Sequence, residues 1–154
     1  MPRIFVHRID VPATAIDVYG HVNNIEYIRW MQDAASAHSA AQGWNLERYV
    51  ELGAGWVVRS HTIEYLRPTF EGDPLSLLTW VAGFAKRTSP RKFLFWRHSD
   101  RKPVAQAETV WAFVDFGTGR AVAIPPVVES AFEVVPAGED VLRALPRDSV
   151  PSVS

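Results

Sequence analysis

Cysteine is absent from the 154 residues, which removes disulfides, thiolate metal sites and a thiol nucleophile together. No stretch approaches the ~18 apolar residues that a membrane helix requires. The opening residues, Met1, Pro2 and Arg3 followed by Ile4, Phe5, Val6 and His7, are too short and too polar for the apolar region of a signal peptide. Excess charge of one sign is missing as well: the formal net charge is -1 with both signs scattered, which leaves no basic footprint for a nucleic-acid backbone. Together these absences predict a cytoplasmic protein that engages neither nucleic acid nor membrane.

Several chemical signatures are missing too. There is no G-x-S-x-G elbow for a serine hydrolase, and His7, His38, His61 and His98 are dispersed without the spacing of a metal site. Asp115-Phe116-Gly117 reproduces a kinase tripeptide, but without a glycine-rich phosphate loop or a catalytic loop it is a turn. What the chain does have is apolar mass. Hydrophobic residues make up 47% of it, with six Trp and eight Phe, enough to bury one core in one domain without staples.

Residues 3–11 are rich in β-branched and aromatic types and predict a strand closed by Pro12. Residues 13–23 are a loop with Gly20, and a long helix follows. Asn23 is its natural N-cap, with Glu26 three residues on as in a capping box. Ile25, Ile28, Met31 and Ala35 follow helical spacing, and Gly43 is the stop. After a connecting stretch at 44–55, strands are expected at about 56–67, 74–86, 91–98 and 104–115, with a weaker run at 120–124. Turn residues separate them: Pro68 with Gly72-Asp73-Pro74, then Ser89-Pro90, Ser99-Asp100 and Gly117-Thr118-Gly119. With no second long helix for parallel crossovers, the sheet must be mainly antiparallel. The expected fold is α+β, one domain over 1–135 with a loose tail at 136–154, in which 139–144 form a single helical turn.

The segment Asp17-Val18-Tyr19-Gly20-His21-Val22-Asn23-Asn24, followed by Tyr27 and Trp30 on the helix, resembles the signature of the 4-hydroxybenzoyl-CoA thioesterase-like hotdog family. Further matches come in order: Ile63-Glu64-Tyr65-Leu66-Arg67-Pro68, Gly72-Asp73, and Thr118-Gly119-Arg120 leading to Ile124-Pro125. The resemblance spans about residues 3–132. It implies a five- to six-stranded sheet wrapped around one central helix, homodimers or paired dimers that join their sheets, and an acyl-CoA site at the subunit interface. It also implies Asp17 as nucleophile or general base, and the backbone N–H of Asn24 as the group polarising the thioester carbonyl. Tyr19 and Gly20 would belong to the acyl-binding loop, which His21 would order. The chain departs from the family at Ala15, where relatives commonly carry a second Asp.

Elementary chemistry supports the same assignment. A helix N-terminus has unpaired N–H groups and a partial positive charge suited to an oxyanion, and an upstream carboxylate turned back by Gly20 can attack or deprotonate water beside it. Neither step needs a metal or redox cofactor, so coenzyme A enters only as part of the substrate. Trp56 would flank a pocket, and Lys86, Arg87, Arg91 and Lys92, grouped around one turn, would meet the phosphates of coenzyme A. The expected activity is hydrolysis of an acyl-CoA to free acid and coenzyme A. The alternatives are an acyl-carrier-protein thioesterase and a non-catalytic acyl-thioester-binding module. A hotdog hydratase is disfavoured because its Asp and His pair is missing.

Overall fold

The computed structural model describes residues 3–146; the expected tail beyond 146 lies outside the described residues. Five strands, β1 (Ile4–Asp10), β2 (Ala54–Tyr65), β3 (Pro74–Val81), β4 (Thr88–Arg97) and β5 (Lys102–Asp115), form one sheet in the order β1-β3-β4-β5-β2. Every neighbouring pair is antiparallel. β3 ends at Val81 and β4 begins at Thr88, so Ser89-Pro90, expected as a turn, lies inside β4 and the connection falls at 82–87, whereas Ser99-Asp100 does lie in the turn between β4 and β5; β1 and β2 close the two edges. Bulges between Val58 and Ser60 and between Phe95 and Trp96 add local twist, and the sheet carries the long helix α1 (Asn24–Ala41) on one face.

Asn23 caps α1 as expected, its side chain accepting from the Ile25 amide. The capping box is only half made, because the Glu26 carboxylate turns toward Arg29 (3.7 Å) and the Asn23 amide donates to the Ala15 carbonyl (2.8 Å). The buried stripe of α1 is Tyr27, Trp30, Met31, Ala34, Ala35 and His38, so its phase differs from the expected one and Ile25 is exposed. Rings decide this: Tyr27 and Trp30 bury more area than two isoleucines, and Tyr27 packs edge-on against Phe95 at 5.1 Å. Leu75, Leu77, Phe93, Phe95 and Val104 complete this core from the sheet.

The stretch 44–55 contains an unexpected helix, α2 (Leu46–Leu52), capped by the Asn45 side chain and ended by Gly53 at φ 81. The run at 120–124 amounts to a single bridge, Val114 to Ala121, and leads into a short α3 (Pro126–Glu129). On the opposite sheet face, Val135 and residues 141–145 cover Ile4, Leu78 and Trp80. The helical turn expected at 139–144 is a 3-10 turn at Val141–Ala144, tied back by Arg3, which donates to both oxygens of Glu139 (2.8 and 2.7 Å).

Candidate active site

The loop that enters α1 is a small hairpin. Ile16 bridges Val22, the Asp17 amide donates to the His21 carbonyl (2.8 Å), and Gly20, at φ 82, donates back to the Asp17 carbonyl (3.1 Å). A positive φ of that size is accessible to glycine without strain, which is why the turn closes there. The Asp17 side chain is held inside the hairpin: its Oδ1 accepts from the amides of Tyr19 (2.8 Å) and His21 (3.4 Å). Its Oδ2 has no partner among the described residues. Ala15, where a second Asp was the alternative, is buried, and its carbonyl clamps the base of the hairpin to Asn23. The hairpin is also anchored to the sheet side, through the Val22 amide on the Thr69 carbonyl (2.9 Å) and the hydroxyl contact of Tyr27 with Thr69.

At the tip of α1 the N–H groups divide unequally. The Asn23 side chain takes the Ile25 amide (3.0 Å), and the Asn23 carbonyl takes the Glu26 amide (2.9 Å). The Asn24 amide is left without an acceptor among the described residues. The helix end therefore presents one unspent donor beside a hairpin that carries one unspent carboxylate oxygen. Tyr65 closes over the same end, its hydroxyl donating to the Asn24 carbonyl (3.3 Å). Val18 and Tyr19 form a highly exposed apolar tip, and His21 packs edge-on against Phe70 (5.3 Å).

A cavity of about 190 Å³ lies elsewhere, over the C-terminal part of α1, and is lined by Ser39, Tyr49, Trp56, Phe84, Arg91 and Trp111 among others. Trp56 stands on the wall of this cavity, its indole N–H donating to the Tyr49 hydroxyl (3.1 Å), which also meets Ser39 (2.8 Å). Burial raises the Tyr49 pKa, partly offset by those two contacts. Asp17, Tyr19, Gly20, His21 and Asn24 do not line this cavity. From Asn24 to Ala35, the first α1 residue on the cavity wall, the rise along the helix is about 16 Å, so within one chain the hairpin and the cavity are separate.

The four basic residues do not form one patch. Lys86 and Arg87 are exposed in the β3–β4 turn and Lys92 is exposed on the outer sheet face, but Arg91 is buried. Successive strand residues point to opposite faces, so Arg91 enters the core side while Lys92 leaves it. There Arg91 donates to His38 Nδ1 (2.9 Å) and Thr79 Oγ1 (3.1 Å). The cavity and the place of Arg91 in it do not show in the spacing of charges along the chain. The available signal was the alternation of β4, which sets Arg91 in line with Ser89, Phe93 and Phe95.

The profile of the thioesterase-like superfamily matches residues 11–132, most of the chain, and the protein belongs to that superfamily. Its fold is the hotdog fold. It is similar to a hypothetical protein from Aquifex aeolicus (22% identity, 84% of this chain and 99% of that one, TM-score 0.77). It is similar also to a hypothetical protein from Staphylococcus aureus solved in complex with CoA (16%, 83% and 80%, TM-score 0.78). A third similar structure is a 1,4-dihydroxy-2-naphthoyl-CoA thioesterase from Synechocystis (14%, 83% and 94%, TM-score 0.76). No curated protein matches the sequence. Among the described residues no helix is long and apolar enough to cross a membrane.

Proposed function

We propose that the protein hydrolyses acyl-CoA thioesters, with Asp17 as the catalytic carboxylate and the Asn24 amide as the oxyanion donor. The observation that carries this is the pairing of leftovers: a carboxylate fixed by its own hairpin through Oδ1, with Oδ2 unengaged among the described residues, in the loop that leads straight into a helix tip whose first amide has no acceptor among them. As general base, Asp17 takes a proton from water while the water oxygen attacks the thioester carbon. The carbonyl oxygen gathers charge against the Asn24 N–H, and collapse expels the coenzyme A thiolate. As nucleophile, Asp17 attacks the thioester carbon, the C–S bond breaks with departure of the coenzyme A thiolate, and water then cleaves the anhydride to free acid and regenerated Asp17. Both routes use the same oxygen. The membership in a thioesterase-like superfamily, and a similar fold solved with CoA, support this chemistry.

The site is completed by a second copy. β2 is a 12-residue edge strand with Val57 and Tyr65 exposed, and a long open edge is a template for another strand. A two-fold axis makes the paired edges antiparallel. The Tyr65 end of β2, which lies on the Asn24 tip, then meets the Trp56 end of the partner strand, which lines the cavity. In this dimer the hairpin of one subunit faces the cavity of the other. Lys86 and Arg87, in the turn between cavity residues Phe84 and Ser89, are suited to the phosphates of coenzyme A. Thiol release from a panel of acyl-CoA and acyl-carrier-protein thioesters tests the proposal and identifies the donor. Saturable thioester binding with no release of thiol would make the protein a binding module instead.

A further inference from the structure

Thr69, in the connection between β2 and β3, is a polar residue that is fully buried, and it touches both halves of the proposed site. Its carbonyl accepts from the Val22 amide (2.9 Å), at the foot of the hairpin that carries Asp17. Its hydroxyl meets the hydroxyl of Tyr27, in the first turn of the helix that begins at Asn24. The connection that presents Thr69 is itself held firmly. Arg97 donates through Nη1 to the Pro68 carbonyl (2.9 Å) and to Asp73 Oδ2 (3.1 Å), while its Nε and Nη2 hold the two oxygens of Asp100 (3.0 and 2.8 Å). Asp73 Oδ2 accepts also from the Phe70 amide (2.9 Å). Just past the end of β1, the Val11 carbonyl takes the Gly72 amide (2.9 Å) and the Val11 amide donates to the Asp73 carbonyl (3.1 Å). Both flanks of Thr69 are therefore tied to the sheet.

Tyr27 carries this fixed point into the helix. Its buried ring stands edge-on to Phe95 (5.1 Å) and to Tyr65 (5.2 Å), and the Tyr65 hydroxyl donates to the Asn24 carbonyl. A buried hydroxyl pair adds little net stability, because exchanging both partners for apolar groups of the same shape can be nearly neutral. What it adds is direction: a satisfied polar pair holds one geometry, where an apolar contact in its place would tolerate several.

We propose that Thr69 is a positioning residue for hydrolysis: through its carbonyl and its hydroxyl it fixes the hairpin that carries Asp17 relative to the helix turn that carries the Asn24 amide. The inference rests on the function proposed above. A misplacement of about 1 Å can cost on the order of 10²-fold in rate, so losing the hydroxyl contact should show in kcat rather than in KM.

Turnover and thermal unfolding of four full-length variants test this, with an acyl-CoA that the wild type cleaves as the substrate. Thr69→Val keeps the shape and the carbonyl and removes the hydroxyl. Its kcat should fall about 10- to 100-fold with KM within about threefold of wild type, and its unfolding midpoint should drop because the Tyr27 hydroxyl is left buried without a partner. The double variant Thr69→Val, Tyr27→Phe removes both hydroxyls, so its midpoint should recover while kcat stays low. Thr69→Ser loses a methyl group and keeps the hydroxyl, and should show the reverse, a lowered midpoint with kcat within a few-fold of wild type. If Thr69 served stability alone, kcat would follow the midpoint through the series. Wild-type kcat in Thr69→Val or in the double variant therefore overturns the proposal. Tyr27→Phe alone makes the same test should Thr69→Val fail to fold, and wild-type kcat there overturns it too. Should Asp17→Asn be inactive while the Thr69 and Tyr27 variants turn over at the wild-type rate, this inference fails and the proposed function stands. Absence of thiol release from the wild type ends both.

Discussion

Residue 17 and residue 24 contribute different kinds of atom, and mutagenesis can separate them. Asp17→Asn preserves shape and can still accept from the Tyr19 and His21 amides, but it removes basicity. Turnover should fall by about two to four orders of magnitude, the range of a general base, in a thiol-release assay with folding unchanged. Asn24 contributes only its main-chain N–H, so Asn24→Ala should leave turnover within a few-fold of wild type. Asn24→Pro is the informative partner. Residue 24 is the first residue of α1, where proline is well tolerated, and Asn23 already has the extended backbone, φ -64 and ψ 134, that a residue before proline adopts. The helix should survive while the donor disappears, and turnover should drop by about 10²–10³, as for the loss of an oxyanion donor. Wild-type rates in Asn24→Pro would remove the helix tip from the mechanism.

At the scale of elements, the N-terminus of α1 couples stability to the site, since Asn23 caps the helix through its side chain and pins the hairpin through its amide to Ala15. Asn23→Ala should keep the second contact and lose the first, lowering stability by about 1 kcal/mol in denaturant unfolding. This cap was legible in the sequence because it is local: a short polar residue ahead of a periodic run has few other uses. The order of strands and the single long helix were legible for the same reason, through turn residues and periodicity. The phase of α1 was not, because isoleucine and tyrosine score alike as apolar, and only the contacts with Phe95 and Thr69 show which turns inward. α2 was missed because seven residues give too little periodicity to outweigh a polar composition, although its Asn45 and Gly53 caps were in view. Asp17 was singled out by its neighbours along the chain, and its catalytic role is the proposal that Asp17→Asn tests. Arg91 was misplaced because grouping charges by their distance in sequence ignores the two-residue alternation of a strand.

For the whole molecule, the separation of hairpin and cavity, about 16 Å along α1 from Asn24 to the nearest lining residue Ala35, is what the proposed dimer accounts for, and it yields a test that a single-chain site cannot pass. In the proposed dimer each site takes the hairpin of one subunit and the cavity of the other. Asp17→Asn disables the hairpin, and Ser36→Phe, at an exposed position of α1 on the cavity wall, should obstruct the cavity. Each homodimer should then be inactive. A heterodimer of the two variants carries both lesions in one of its sites and none in the other, so mixing the variants and allowing subunit exchange should restore about half the specific activity per heterodimer. Were hairpin and cavity used within one chain, each site of the heterodimer would keep one lesion and no mixture would recover activity. The assay needs only thiol release and a tagged subunit to isolate the mixed species. It reports on assembly through catalysis itself, because rescue requires that hairpin and cavity of one working site come from two different chains.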